Sequence, residues 1–155
     1  MEVESFLLHP LLVHITSETS WECHTDLPHK EDYTIIHKPI QYLSQCDYDT
    51  FITNLHVWLD RRGIHILYPK IGIVDIPRKL IYSIDIVAER DDKIVFIIFY
   101  KSETRWGGPE AKNAMISFCD RIHMQTQVVY HQDVHVYLLN VYGNGKIVST
   151  IIGME

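Results

Sequence analysis

The segment that decides the fold runs from Tyr82 to Lys101 and reads YSIDIVAERDDKIVFIIFYK. Both of its ends are rich in isoleucine, valine and other residue types that favour β-strands. Between them lies a run of five charged residues, Glu89 to Lys93. Because such a run belongs in water, the pattern predicts a β-hairpin whose strands cover residues 80–88 and 94–100 and whose turn is exposed.

The predicted hairpin carries two charged side chains of chemical interest. Asp85 lies inside the first strand and Lys101 ends the second. Side chains alternate between the faces of a strand, so Phe99 and Lys101 are expected to point the same way. A hairpin of this kind can bring Asp85 and Lys101 close together on one face of the sheet.

Periodicity in the rest of the chain predicts two helices and further strands. One helix is predicted over residues 47–62 with Gly63 as its stop, and one begins near Pro109. Apolar runs predict strands over residues 64–68, 71–76, 127–131, 134–142 and 146–152. Residues 1–46 are predicted to be a partly irregular N-terminal extension, followed by one domain over residues 47–155. The order of elements predicts an α/β fold with a mixed β-sheet flanked by helices.

Composition limits the partners and the compartment. The chain has 155 residues and a formal net charge of −6, which argues against strong non-specific affinity for nucleic acid. A local basic patch stays open, because Arg61, Arg62, Lys70, Arg78 and Lys79 bracket the middle of the chain. Three widely spaced cysteines predict an intracellular location, cytoplasmic or nuclear. No apolar run is long enough to suggest a membrane partner.

The order of a helix, the segment IDIVAERDDKIVFIIFYKS and a helix that starts with GGPE resembles the PD-(D/E)XK nuclease superfamily. The resemblance covers residues 47–142 and implies a restriction-endonuclease-like fold. Asp85 matches the metal-binding aspartate of that superfamily, and Lys101 matches its catalytic lysine. The position of the second acid, two residues before the lysine, is occupied by Phe99.

Two glutamates are candidates to replace that missing acid. Glu103 has the strand parity of Lys101, and Glu110 falls in the first turn of the helix that follows. The resemblance then implies a Mg²⁺ ion held by Asp85 with Glu103 or Glu110. Such an ion would activate water for phosphodiester hydrolysis, with Lys101 offsetting the developing charge.

Two functions are compatible with these residues. The first is a small metal-dependent endonuclease that acts on DNA or RNA. The second is a non-catalytic structural subunit of a nucleic-acid-processing complex. Phe99 and the negative charge favour the subunit, whereas Asp85 and Lys101 favour the enzyme. The start His9-Pro10-Leu11-Leu12 and residues 136–153 are similar to the small subunit of the tRNA-splicing endonuclease, although Ser149-Thr150 replaces aromatic residues. The fold implied is also similar to the jaw domain of an RNA polymerase subunit. Homo- and hetero-oligomers both stay open.

Two other sets of side chains are weaker candidates. His131, Asp133 and His135 share one side of a strand and could bind zinc, although this spacing is weakly specific and an exposed edge strand in a chain with ten histidines explains them better. His65, His131 and Lys146 could supply acid–base groups for metal-free RNA cleavage, but no spacing supports that set.

Trp106 is a further candidate for contact with nucleic acid. With Arg105 and the two glycines that follow, it could stack on a base or anchor the core below a helix. The chain lacks the motifs of P-loop nucleotide hydrolysis, dinucleotide redox chemistry and serine hydrolysis.

Overall fold

A computed structural model describes residues 21–25, 27–37, 48–91, 93–100, 108–130, 134–142 and 146–152, with only the backbone of residues 48, 108–111 and 127–130. Within these ranges the chain forms two helices, α1 (Tyr48–Arg61) and α2 (Gly108–Tyr130). The seven strands are β1 (Trp21–His24), β2 (Thr34–Ile35), β3 (His65–Asp75), β4 (Leu80–Arg90), β5 (Lys93–Tyr100), β6 (His135–Val141) and β7 (Ile147–Ile152).

All seven strands belong to one mixed, mostly antiparallel sheet. Its main order is β1-β3-β4-β5-β6-β7, and β2 pairs with β4 off this path. The β5–β6 pair is parallel, so the chain crosses over from one strand to the next through α2. The predicted α/β class and the predicted mixed sheet flanked by helices are confirmed.

The helices lie on opposite faces of the sheet, because the strands contribute alternate residues to two separate cores. On β5, residues 94, 96, 98 and 100 join Phe118 and Ile122 of α2. Residues 95, 97 and 99 of the same strand join Phe51 and Trp58 of α1. This alternation explains why β5 reads as a continuous apolar run, since both of its faces are covered.

The end of α1 is fixed by Gly63. This glycine has φ 64°, a conformation that residues with a Cβ adopt at a cost. The amide of Gly63 donates to the carbonyl of Asp60 at 3.2 Å, and the amide of Ile64 donates to the carbonyl of Leu59 at 3.0 Å. These two bonds form a Schellman cap. The helix predicted over residues 47–62 and its stop at Gly63 are therefore confirmed.

Two predictions about strands are wrong, namely the strand over residues 127–131 and the break at Pro69. Residues 127–130 belong to α2 and form no strand, because the helix beginning at Gly108 continues to Tyr130. Pro69 does not divide the region 64–76, since β3 is continuous from His65 to Asp75. On its second edge β3 is paired with β1 only over residues 72–75, so the missing amide of Pro69 removes no bond to β1.

The N-terminal segment contributes to the sheet through β1 and β2. Trp21 pairs with Asp75 at the end of β3, and Thr34 pairs with Leu80 at the start of β4. Neither helix in the described part of the chain is long and apolar enough to span a lipid bilayer.

Candidate functional site at the fork between β4 and β5

Asp85 lies where β4 and β5 separate. The antiparallel pairs between these strands run from Arg90 and Lys93 to Ile86 and Ile97, and no pair is formed beyond them. Residues 98–100 of β5 continue alongside β6. The two strands thus diverge one residue before Asp85 is reached, and we call this opening the fork.

The short strand β2 occupies the edge of β4 that β5 leaves. The amide of Thr34 donates to the carbonyl of Lys79 at 3.0 Å, and the amide of Ile36 donates to the carbonyl of Ile81 at 2.9 Å. Because β2 runs parallel to β4, the next residue along it, His37, is carried toward Asp85. The fork is therefore closed on one side by a segment from the N-terminal part of the chain.

The Asp85 carboxylate has two close partners in the fork. Its Oδ2 accepts a hydrogen bond from the backbone amide of Phe99 at 2.7 Å. The Nε2 of His37 lies 3.3 Å from the same oxygen. Asp85 is only 6% exposed and His37 is 9% exposed, so water does not replace these contacts easily. The carboxylate thus satisfies a backbone amide that β4 would otherwise have paired.

The alternation of β4 side chains between the two cores is interrupted at Asp85. Ile84 faces the α2 core, but Val87 and not Ile86 is the next β4 residue on that side. Lys70 lies opposite Asp85, between the pairs Ile71–Ile84 and Pro69–Ile86, and it has φ 55°. The regular alternation of the hairpin is therefore interrupted at the level of Asp85. Such an irregularity changes the direction of a side chain near a site.

Asp85 and the position of the missing acid point to different sides of the sheet. The ring of His37, which contacts Asp85, lies 5.4 Å from the ring of Phe118 on α2. The ring of Phe99 instead lies 5.6 Å from that of Phe51 on α1, in an edge-to-face arrangement. Only the backbone of Phe99 faces Asp85. An acid at position 99 would consequently extend into the α1 core.

Cys119 on α2 shares the surroundings of Asp85. Burial raises the pKa of its thiol to about 12, and the negative charges of Asp120 and then Asp85 add to this effect. The thiol is fully buried, so it behaves as a neutral, unreactive group near neutral pH. Cys119 therefore supplies no nucleophile to the fork near neutral pH.

The remaining predicted site residues lie outside the described part of the chain. Lys101 and Glu103 fall in the undescribed stretch 101–107. Glu110 belongs to the first turn of α2, but its side chain is not described. The pairing of Asp85 with Lys101, and the metal ligation by Asp85, Glu103 and Glu110, therefore stay predictions. Among the described residues no group of three or more His, Cys, Asp or Glu side chains is placed to hold a metal ion.

The weaker candidate sets are only partly visible. His131 and Asp133 lie outside the described residues, and so do Arg105 and Trp106. His135 is described, and its Nδ1 lies 2.8 Å from Nη2 of Arg90. The zinc site, the acid–base set and the stacking role of Trp106 therefore stay predictions.

His37 is the residue at this site that reasoning from the sequence missed. The apolar run that precedes it indicates a short strand, which is the available signal. No local pattern indicates that this strand pairs in parallel with β4, because its partner lies more than forty residues further along the chain.

The arrangement at the fork is suited to structural support. The only described polar neighbours of the Asp85 Oδ2 atom are an amide and an imidazole nitrogen, and both can donate to it.

No protein-family model matches this chain, and no curated protein matches it.

Proposed function

We propose that this chain is a nuclease-like α/β protein that takes part in nucleic-acid processing as a non-catalytic subunit. Its fold is proposed to be restriction-endonuclease-like, with the β4–β5 hairpin and α2 in the places that the resemblance assigns to the motif. In this function Asp85 is retained because it holds β5 and the segment around His37 against β4.

The observation that carries the proposal is the bond from the Phe99 amide to Asp85 Oδ2, 2.7 Å long and buried. A carboxylate engaged by a backbone amide and an adjacent imidazole contributes to the fold without any metal. The Phe99 side chain is 7% exposed and packed against Phe51, so this position is part of the core. Both facts give the two motif positions a structural purpose.

A small Mg²⁺-dependent endonuclease is the second candidate. The same bond supports it, because it places the end of β5 beside Asp85, and Lys101 follows two residues after Phe99 in the chain. In that function Asp85, with Glu103 or Glu110, would bind the ion and Lys101 would stabilise charge on the phosphate.

Cleavage and metal-binding assays separate the two functions. The purified chain is incubated with labelled single- and double-stranded DNA and RNA in Mg²⁺ or Mn²⁺, and Mn²⁺ binding is measured by calorimetry. We expect no cleavage above that of the Lys101→Met variant and no heat of Mn²⁺ binding. We also expect the tagged chain, expressed in its source cell, to be recovered in stoichiometric amounts with a nucleic-acid-processing complex.

Lys101→Met is the primary control because Asp85 variants are expected to lose stability. Metal-dependent cleavage by the wild-type chain that disappears in Lys101→Met, with an unchanged melting temperature, would establish the endonuclease and contradict the proposal. A chain recovered alone would contradict the subunit function as well.

A further inference from the structure

A groove lies between the C-terminal end of α1 and the start of β7, on the face of the sheet opposite to α2. Its volume is about 510 Å³, which is within the range of about 300–1,000 Å³ typical of ligand sites. Its polar lining consists of Asn54, Trp58, Arg61, Arg62 and Lys146, and aliphatic side chains complete it. We call it the α1–β7 groove.

The α1–β7 groove gathers cations with no acid among its described lining residues. Neither Arg61 nor Arg62 forms an ion pair with a carboxylate in the described ranges. Two other cations of the predicted basic patch are paired, since Arg78 lies 3.8 Å from Asp75 and Lys79 lies 4.0 Å from Asp32. The basic patch is thus divided, and only its α1 part joins Lys146 in a concave surface.

Part of the groove wall is held in place by contacts with Trp58. The guanidinium carbon of Arg62 lies 4.2 Å from the centre of the Trp58 ring. Its Nη1 donates to the Trp58 carbonyl at 3.2 Å, and the Schellman cap at Gly63 fixes the turn that follows. Trp58 is itself packed edge-to-face on Tyr137 of β6, with ring centres 5.1 Å apart. Arg62 is therefore positioned before any ligand arrives.

The indole N–H of Trp58 lacks a hydrogen-bond partner among the described residues, although its nitrogen, Nε1, is buried. A buried indole N–H usually has an acceptor. Trp58 also lines the groove, where a ligand that carries oxygen acceptors would meet the cations.

We propose that the α1–β7 groove binds the phosphate groups of a single-stranded nucleic acid. Two arginines and a lysine in one concavity suit successive phosphates, since arginine forms bidentate bonds to phosphate oxygens. The net charge of −6 disfavours non-specific attraction of polyanions to the molecule as a whole, so binding depends on a local cluster of cations such as this one. The inference goes beyond the proposed function, because it concerns a face of the sheet that Asp85 does not share.

Fluorescence anisotropy of a labelled oligothymidylate tests the groove in the presence of EDTA, so that metal-dependent chemistry plays no part. With three cations engaged, the logarithm of the association constant should fall against the logarithm of salt concentration with a slope of about −2. Arg61→Glu should weaken binding about tenfold or more, as expected when a hydrogen bond to a charged group is lost. It should also reduce the steepness of the slope by about 0.7–1.

Lys112→Glu is the matched control for Arg61→Glu. Both residues are exposed on helices and both substitutions change the charge equally, but Lys112 lies on α2 across the sheet. Lys146→Glu is a second groove variant on a different element, so a folding defect at the end of α1 cannot explain a shared loss. Thermal melts of all variants verify that they are folded.

Three results would overturn the inference. They are the absence of oligothymidylate binding, equal losses in Arg61→Glu and Lys112→Glu, and a slope that Arg61→Glu leaves unchanged. Inorganic phosphate and a phosphorylated peptide serve as competitors. Displacement of the oligonucleotide by an excess of phosphate supports a phosphate site, whereas tighter binding of the peptide than of the oligonucleotide would contradict the assignment to nucleic acid. Because these measurements use neither the cleavage assay nor the recovery of a complex, their failure is distinct from failure of the proposed function.

Discussion

Replacing Asp85 by alanine removes the acceptor that holds β5 to β4 at the fork. The amide of Phe99, now 2.7 Å from Asp85 Oδ2, would be left buried without its partner. A hydrogen bond to a charged group contributes about 1.5–3 kcal/mol, and a buried donor without a partner costs about 1–3 kcal/mol. Since the two figures describe overlapping effects, we expect the free energy of unfolding to fall by about 2–4 kcal/mol.

Urea denaturation of the wild-type and Asp85→Ala chains measures this loss. The midpoint should decrease while the dependence on denaturant stays constant, which is the signature of a change in stability alone. Asp85→Asn is the matched control, because its amide oxygen still accepts from Phe99, and we expect a loss of about 1 kcal/mol. Ordinary surface substitutions change the free energy of unfolding by no more than about 0.5 kcal/mol. A change of that size in Asp85→Ala would refute the structural account of Asp85.

Three further predictions concern the core, the helix cap and a buried thiol. Phe99→Glu should lower the free energy of unfolding by about 3–5 kcal/mol and create no Mn²⁺ site, since it places a carboxylate in the α1 core. Gly63→Ala should cost about 1 kcal/mol through backbone strain alone, because a Cβ there meets no atom within 4 Å. Stability should fall between pH 9 and pH 12 by up to about 1.4 kcal/mol per pH unit for Cys119, because burial raises its pKa from 9.0 to about 12 and only the unfolded chain ionises earlier.

Each of these predictions has its own comparison. Phe99→Leu keeps the core apolar and should lose less than half as much stability as Phe99→Glu. Asparagine tolerates positive φ, so the melting temperature of Gly63→Asn should lie between those of the wild-type and Gly63→Ala chains. Cys119→Val should lose the alkaline decline that Cys119 contributes, and an identical pH profile for the two chains would contradict the thiol explanation.

Residues near one another in the chain determined much of the fold. The spacing of Phe51, Leu55 and Trp58 predicts α1, and all three are buried in its core. The charged run after Ala88 predicts the β4–β5 turn. The turn is shorter than predicted, because β4 extends to Arg90 and β5 begins at Lys93. The predicted strand over 127–131 fails because its β-branched residues follow a helix already formed from Gly108, and tertiary context outweighs such weak local preference.

The sequence by itself determined the α/β class, the helix stop at Gly63 and the hairpin, and it predicted Asp85 as a site residue. Only the tertiary structure decided what Asp85 contacts, since its partners Phe99 and His37 lie 14 and 48 positions away along the chain. It also decided that Arg61 and Arg62 share a groove with Lys146, whereas Arg78 and Lys79 pair with acids. The physical reason is that periodicity reports which face of its own element a side chain occupies, but contacts across strands depend on register and on where neighbouring strands diverge.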